Sequence, residues 1–456
     1  LRPLQLSPVR KGTKRKGEEE QMQAAITTAK KVGFWKSGHW PTLLVSLLYF
    51  DFCFAIWVLN GAMAPFIAGD LGLSAAQKGF MVSVPIISGS LIRFPLGLLG
   101  QYIGRKWSAV IEMGTIMVAL VYGSLFVDSY REVLFMGVLL GIAGASFGIA
   151  LSLGSGSYPP RYKGLAAAVA GAGNSGAVLA VLFAPPLAKA YGWHLVYAMS
   201  ILPLLLPMAL MLFVAKEPED REHQGMKDYL KVLIDRDTWV MNIIYIVTFG
   251  GYIGFTNVLP IFFNEQYGID KARIGGYSAL IIIMASLLRV GGGWVADKIG
   301  GLRVLNAVFV VALVSTLLAS TLPSSVVVAT LILMVLFGAL GAGNGATFQL
   351  VPLRFTAITS IAMSMVGLMG GLGGFIPPNA FGQAKQITGS FSLGFIVFAG
   401  VIIVAWIAML AVQRKWTTSW VGKGGKAKIH VEVDGPVPHK HQESVRLREA
   451  EEGASA

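Results

Sequence analysis

The sequence predicts an all-α membrane protein whose twelve spanning helices form two six-helix halves. Three observations predict it. Charged residues make up only 13% of the 456 residues, against about 25% in a soluble globular domain. Mean hydropathy is +0.65, and apolar runs long enough to cross the hydrocarbon as helices (about 20 residues) recur along the chain. A motif built around an intramembrane arginine occurs once in each half of the chain.

These features exclude an ordinary soluble enzyme, a disordered chain, a collagen and a disulfide scaffold. A single cysteine, Cys53, permits no internal disulfide and no cysteine-based metal cluster. No metal and no cofactor are expected. The net charge of +13 is mostly tail, with nine Lys/Arg before Thr42 and eight after Val412. Basic tails can bind nucleic acid, but the cytoplasmic flanks of a polytopic membrane protein explain them more simply, so no nucleic-acid partner is expected. The first 40 residues show no apolar core and no small-residue cleavage site, so no cleaved signal peptide is expected.

The apolar segments run over 42–68, 79–101, 107–127, 133–156, 164–187, 193–215, 239–263, 274–297, 302–321, 325–350, 358–383 and 390–412. They are continuously apolar, not alternating, which excludes a β-barrel. An even number of spans puts both termini on one side. With the termini in the cytoplasm, the internal loops hold twelve Lys/Arg and the external loops six. The positive-inside rule therefore gives cytoplasmic termini in a multi-pass protein of the cytoplasmic (inner) membrane. The expected organisation is a basic tail (1–41), a six-helix half (42–215), a charged cytoplasmic linker (216–238), a second six-helix half (239–413) and a C-terminal tail (414–456). The chain is expected to act as a monomer within the lipid bilayer.

The halves repeat. LIRFPLGLLGQYIGRK in segment two aligns with LLRVGGGWVADKIGGLR in segment eight, pairing Arg93 with Arg289, Gly97 with Gly293 and Gly104 with Gly300. GIAGASFG from Gly141 matches GALGAGNG from Gly338. Parallel six-helix repeats place a binding site at their interface, near the bilayer midplane.

Arg93 and Arg289 carry the chemistry. Each lies several turns inside its span, where a charge is costly and usually faces an internal cavity. Snorkelling, or a buried carboxylate partner, is the structural alternative. Neither has an acidic neighbour within a turn, so the cargo itself supplies the counter-charge. Two guanidiniums facing each other across the pseudo-two-fold axis select a small planar anion with several oxygens.

The glycine-rich stretches give the second signal: AAAVAGAGNSGAVLA with Gly173 and Asn174, GALGAGNGATFQLVPLRF with Asn344, and GLMGGLGGFIPP. Most of these glycines serve tight helix packing. An Asn among them has an amide that can donate to an anion and space beside it to hold one. A nucleotide-type glycine loop is excluded, since the runs are intramembrane and no strand precedes them.

Two acids lie within spans. Asp51 sits in LLYFDFCFAIWVL and Glu112 in WSAVIEMGT. A buried, unpaired carboxylate exchanges a proton near neutral pH, so both are proton-coupling candidates. Glu112, close to the cytoplasmic edge, is alternatively expected to pair with a loop base. His194 reads as an interfacial anchor beside Trp193, and Cys53 as apolar filling.

The phrase after each arginine resembles the loop signature of the major facilitator superfamily. The second copy keeps Asp297, Lys298 and Gly300. The first keeps Gly97, Gly104, Arg105 and Lys106 but has Gln101 in place of the acid. GAGNSG in segment five and GAGNGATFQLVPLRF in segment ten resemble the paired signatures of the nitrate/nitrite porter branch, as do TFGGYIGF from Thr248 and GGFIP at Gly373–Pro377. The likeness runs from Leu47 to Ala411. It implies a carrier, not an enzyme, with the major facilitator fold and nitrate or nitrite as cargo. It puts the family's two substrate arginines on Arg93 and Arg289, the amide on Asn174, a tyrosine on Tyr245, and an aromatic pair that sandwiches the ion on Phe54 and Phe147. The last three roles rest on the resemblance alone. FDFCFAIWVL resembles the proton-coupled branch.

Nitrate stays ionised in cells, and an inside-negative potential opposes its entry by about 2.3 kcal/mol per 100 mV. Uptake, for assimilation or respiration, therefore needs protons moving in or an anion such as nitrite moving out. Two alternatives stand: a carrier of another small organic anion such as a monocarboxylate, and a nitrate receptor signalling through its tails.

Overall fold

The computed structural model describes residues 33–218, 231–355 and 358–427. Residues 1–32, the linker stretch 219–230 and the tail from 428 lie outside the described residues. Among those described there is no strand, and twelve helices are long and apolar enough to cross a membrane. They are α1 (Trp40–Asp70), α2 (Ala75–Tyr102), α3 (Arg105–Leu125), α4 (Tyr130–Gly156), α5 (Leu165–Tyr191), α6 (Trp193–Phe213), α7 (Arg236–Tyr267), α8 (Ile274–Ile299), α9 (Gly301–Ser320), α10 (Val326–Arg354), α11 (Ile361–Thr388) and α12 (Ser392–Ser419).

Several helices outrun their apolar windows, most clearly α7 at both ends and α12 at its C-terminus. Hydropathy reports where lipid-like surface stops. Backbone pairing continues as long as caps and interfacial side chains satisfy it. Thus α2 begins ahead of its apolar run because Ser74 and Gln77 form a capping box, with Gln77 N–H donating to Ser74 Oγ at 3.3 Å and Ser74 N–H to Gln77 Oε1 at 2.9 Å.

The repeated loop motif becomes a repeated structure. Gly104 and Gly300 take φ values of 96° and 103°, which disfavour a side chain, and each turns the chain sharply from one span into the next. The freed amides at the start of α3 are capped by Glu217, which follows α6: Arg105 N–H and Lys106 N–H donate to its two oxygens at 2.9 and 2.8 Å. At the start of α9 the corresponding place is filled by the segment after α12. There Arg303 N–H donates to the Gly424 carbonyl at 3.2 Å and Gly301 N–H to that of Gly425 at 3.4 Å. The segment after each sixth helix thus caps the third helix of the preceding half.

The halves meet along α1 with α7, α2 with α11, and α5 with α8. Small residues permit the close crossings: Gly79 lies against the backbone of Pro378, and Gly275 against that of Val181. At the end bearing the α1–α2 and α7–α8 turns, ion pairs add to the seal. Lys78 on α2 meets Glu265 on α7 at 2.7 Å, and Lys189 on α5 meets Asp270 at 3.0 Å. The hydrogen bond from Lys189 holds the Asp270 carboxyl below the usual carboxylate range. At the other end, Arg354 at the end of α10 binds Asp235 and Asp237, at the start of α7, at 2.5 and 2.7 Å. Trp416 Nε1–H donates to Asp237 there at 2.7 Å.

Candidate functional site

Three helices switch helix type partway along their length. α4 tightens into a 3-10 turn over Gly141–Ala145, α5 over Ala172–Ser175, and α7 widens into a π turn over Ile246–Gly250. Such irregular turns expose carbonyls that a regular helix would occupy, and they often mark functional sites. All three flank the centre of the bundle.

Arg93 on α2 points into that centre and is 8% exposed. Its Nε donates to the Gly144 carbonyl in the α4 irregular turn at 3.1 Å, and Nη1 to the Gly367 carbonyl on α11 at 2.5 Å. Nη2 is buried without a hydrogen-bond partner among the described residues. Gly144 has no side chain, so the Trp57 indole packs against it and comes within 5.4 Å of the same guanidinium. Arg289 on α8 is half-buried, and its Nη1 also has no partner. Neither arginine snorkels. Arg93 meets backbone carbonyls and rings, and Arg289 meets rings.

The ring of Phe147 lies 5.4 Å from the Arg93 guanidinium and 5.7 Å from that of Arg289. The two cations, one from each half, therefore share one aromatic neighbour, whose quadrupole offsets part of their repulsion. Phe249 lies 5.5 Å from Arg93, and Phe348 lies 5.8 Å from Arg289. Tyr245 closes the group. It is 1% exposed, stacks on Phe249 at 5.2 Å, meets Phe348 edge-on at 5.0 Å, and has an unpartnered hydroxyl. Gly370 and Gly371 on α11 abut Tyr245 and the Arg93 side, where any Cβ would collide with Tyr245 and with Ser90.

Asn174 sits in the α5 irregular turn at 1% exposure. Its amide donates to Ser286 Oγ at 3.5 Å, and its backbone carbonyl accepts from Tyr252 O–H at 3.0 Å. Its side-chain oxygen is unpartnered. Gly171, one turn earlier, lies 3.8 Å (from an ideal Cβ) from Arg289 Nη2, which puts this turn beside the second arginine.

The remaining candidates lie further out. Phe54 is buried against Phe50, Trp57 and Tyr252, at centroid distances of 5.5, 5.3 and 6.3 Å, and Phe50 in turn lies 5.4 Å from Phe147. Gly173 faces α1, where a Cβ would stand 2.8 Å from both Asp51 N and the Phe50 ring. Asn344 on α10 is buried with both amide atoms unpartnered, and its neighbour Gly345 packs against the Arg289 backbone. Asp51 on α1 is half-buried and accepts from Ser175 O–H at 2.6 Å. Among the described residues, Glu112 is not paired with a loop base. Its partner is the Tyr49 hydroxyl, because Glu112 turns inward to 1% exposure and faces α1 within the half. His194 stacks on Trp193 at 3.5 Å and bonds the Val127 carbonyl at 2.7 Å, which suits an anchor. Cys53 is buried filling.

Trp57, Phe249, Phe348, Ser175, Tyr252 and Ser286 were not singled out in the sequence. A signal existed for two of them: Phe249 follows Tyr245 by four residues, and Phe348 follows Asn344 by four, the spacing that shares a helix face.

Comparison with known proteins agrees with this architecture. The model of the Major Facilitator Superfamily matches residues 45–378. The "Nitrite extrusion protein" of Bacillus subtilis is 31% identical over 78% of this chain and 90% of its own length. The "Probable nitrate transporter NarT" of Staphylococcus epidermidis is 30% identical over 79% of this chain and 93% of its own length. Two crystal structures of a bacterial homologue of the human lysosomal transporter Spinster, both inward-facing, share the fold. The occupied form has a TM-score of 0.65 at 18% identity, covering 82% of this chain and 97% of the other. The unoccupied form has a TM-score of 0.64. The chain is thus a multi-pass membrane carrier, not an enzyme, and belongs to the major facilitator superfamily, in the branch of the nitrate and nitrite porters.

Proposed function

We propose that this protein carries nitrate, and nitrite as a close analogue, into the cell across the cytoplasmic membrane by alternating access. The observation that carries the reading is the convergence of Arg93 and Arg289 on Phe147, with an unpartnered guanidinium nitrogen on each. A planar oxyanion supplies what these donors lack. The unpartnered Tyr245 hydroxyl and the Asn174 amide add neutral polar groups at its rim. Flat aromatic walls suit a flat ion better than a tetrahedral one.

Both termini lie in the cytoplasm by the loop charges, so the end closed by Lys78–Glu265 and Lys189–Asp270 faces outward. This is the inward-facing arm of the cycle. An anion binding between the arginines removes their mutual repulsion and lets the halves rock. Asp51, held by a neutral hydroxyl near the site, favours proton-coupled entry over strict exchange for nitrite.

In proteoliposomes, Arg93→Ala and Arg289→Ala each abolish nitrate uptake while the protein still folds. Nitrate outcompetes formate and lactate in the wild type. Undiminished uptake in either variant refutes the site, and preference for a monocarboxylate replaces the cargo.

A further inference from the structure

We propose that Ser175 is a positioning residue that ties proton occupancy of Asp51 to the anion site; this rests on the proton-coupled reading above. The Ser175 hydroxyl has one hydrogen and two acceptors within reach, Asp51 Oδ1 at 2.6 Å and the Ala172 carbonyl at 3.1 Å. One hydrogen serves only one of them well. An ionised Asp51 can only accept, so it takes the hydrogen. When a proton adds to Asp51 Oδ1, the carboxyl becomes the donor and Ser175 Oγ the acceptor. The serine hydrogen then turns to the Ala172 carbonyl. One proton enters, and no other bond to hydrogen is made or broken; the serine O–H only rotates.

The second acceptor sits in the turn that matters. Ala172–Ser175 is the 3-10 stretch of α5 that carries Asn174. Closing the Ser175–Ala172 bond stiffens that stretch from within. Asn174 passes the change across to the other half, through Ser286 at 3.5 Å and Tyr252 at 3.0 Å. Ser286 stands one helical turn before Arg289, on the same face of α8. A proton on α1 is thereby relayed by hydrogen bonds as far as Ser286, one helical turn from the second arginine.

Few other charges intrude. Tyr252 of α7 is in electrostatic contact with Asp51, and Arg289 lies beyond it on α8. The Gly176 amide is the other neighbour of the Asp51 carboxyl, a neutral donor like Ser175. Glu112 of α3 is engaged with Tyr49, also on α1. α4 has its charged side chains, Arg131 and Glu132, only in its first turn, α5 has Lys189 in its last, and α6 has His194 at its start.

The test uses the full chain in proteoliposomes with a pH-sensitive dye inside, and compares proton entry during nitrate uptake with nitrate/nitrite counterflow at equal pH. Asp51→Asn and Ser175→Ala are each expected to lower proton entry at least about tenfold while counterflow stays within about twofold. Ser175→Thr, which keeps the hydroxyl, restores proton entry and the wild-type pH profile. If Ser175→Ala retains proton entry while Asp51→Asn loses it, the serine link is wrong and the coupling carboxylate stands. If Ser175→Ala also loses counterflow, Ser175 merely shapes the site and the proposal is overturned. If the wild type admits no protons with nitrate, the proton-coupled reading fails and takes this one with it. Should Ser175→Ala not reach the membrane, Ser175→Cys, which keeps the volume but donates weakly, is read against the same outcomes.

Discussion

Arg93 Nη1 donates to the Gly367 backbone carbonyl at 2.5 Å, a bond from α2 of the first half to α11 of the second. It occupies one edge of the guanidinium fork and leaves Nη2 open. The arginine is thus fixed before any ion arrives, so little side-chain entropy remains to be lost on binding. Geometry as well as charge should then decide activity.

Replacing guanidinium by ammonium tests that point. Arg93→Lys and Arg289→Lys keep the charge but lose the planar fork. A charge-assisted hydrogen bond contributes roughly 1.5–3 kcal/mol, so initial nitrate uptake should fall about tenfold to a hundredfold in each variant. Radiotracer or electrode uptake at matched protein levels measures it. Uptake within twofold of wild type would mean that the site reads charge alone.

Phe147 is shared by both cations. Phe147→Ala removes two cation–π contacts worth about 0.5–2 kcal/mol each and opens space beside Phe50 and Phe348. The KM for nitrate should rise about tenfold or more, and Phe147→Trp should restore part of the loss. A variant with unchanged KM and lowered thermal stability would reduce the ring to packing.

Cys53 is the lone cysteine and is buried, which gives a clean background for cross-linking at the sealed end. Lys78→Cys with Glu265→Cys, bridged by a short bifunctional thiol reagent, should block transport because α2 and α7 can no longer part. Cleaving the bridge should restore it. Unimpeded transport in the bridged protein would show that this end does not open. The Lys189–Asp270 pair nearby is fully present above the ordinary aspartate value, about 3.9. It is lost as pH falls through the lowered value, so mild acid leaves this contact intact.

Glu112 and Asp51 should separate by substitution. Glu112→Gln keeps an acceptor for the Tyr49 hydroxyl. Its melting temperature in detergent and its proton-coupled uptake should stay near wild type. Glu112→Ala strands that hydroxyl at a cost of about 1–3 kcal/mol, which lowers the melting temperature by several degrees. Loss of proton entry in Glu112→Gln would move the coupling role from Asp51 to Glu112.

The arginines were legible in the sequence because a charge within an apolar span is costly and because the repeat doubles it. Asn174 was legible as an amide among glycines. The ring of aromatics was legible only in part, through the resemblance for Tyr245 and Phe147 and through four-residue spacing for Phe249 and Phe348. Which rings face the centre depends on helix register, and the tightened turn at Ala172–Ser175 and the widened turn at Ile246–Gly250 shift that register. A wheel of 3.6 residues drawn through them misassigns the faces on either side. Gly173, inside the tightened turn, faces α1, and Phe54 packs against Phe50, Trp57 and Tyr252. Ser175 escaped notice because serine in a small-residue helix reads as packing until its partner is seen.

The two halves secure their third helices by different physics. Under α3 the fastener is a full negative charge, Glu217, on two backbone amides. Under α9 it is a pair of peptide dipoles from Gly424 and Gly425. Ions in the surrounding water screen the first far more than the second. A rise in salt on this side of the membrane would therefore loosen one shoulder of the molecule and leave its twin tight, so that two halves alike in shape need not swing alike.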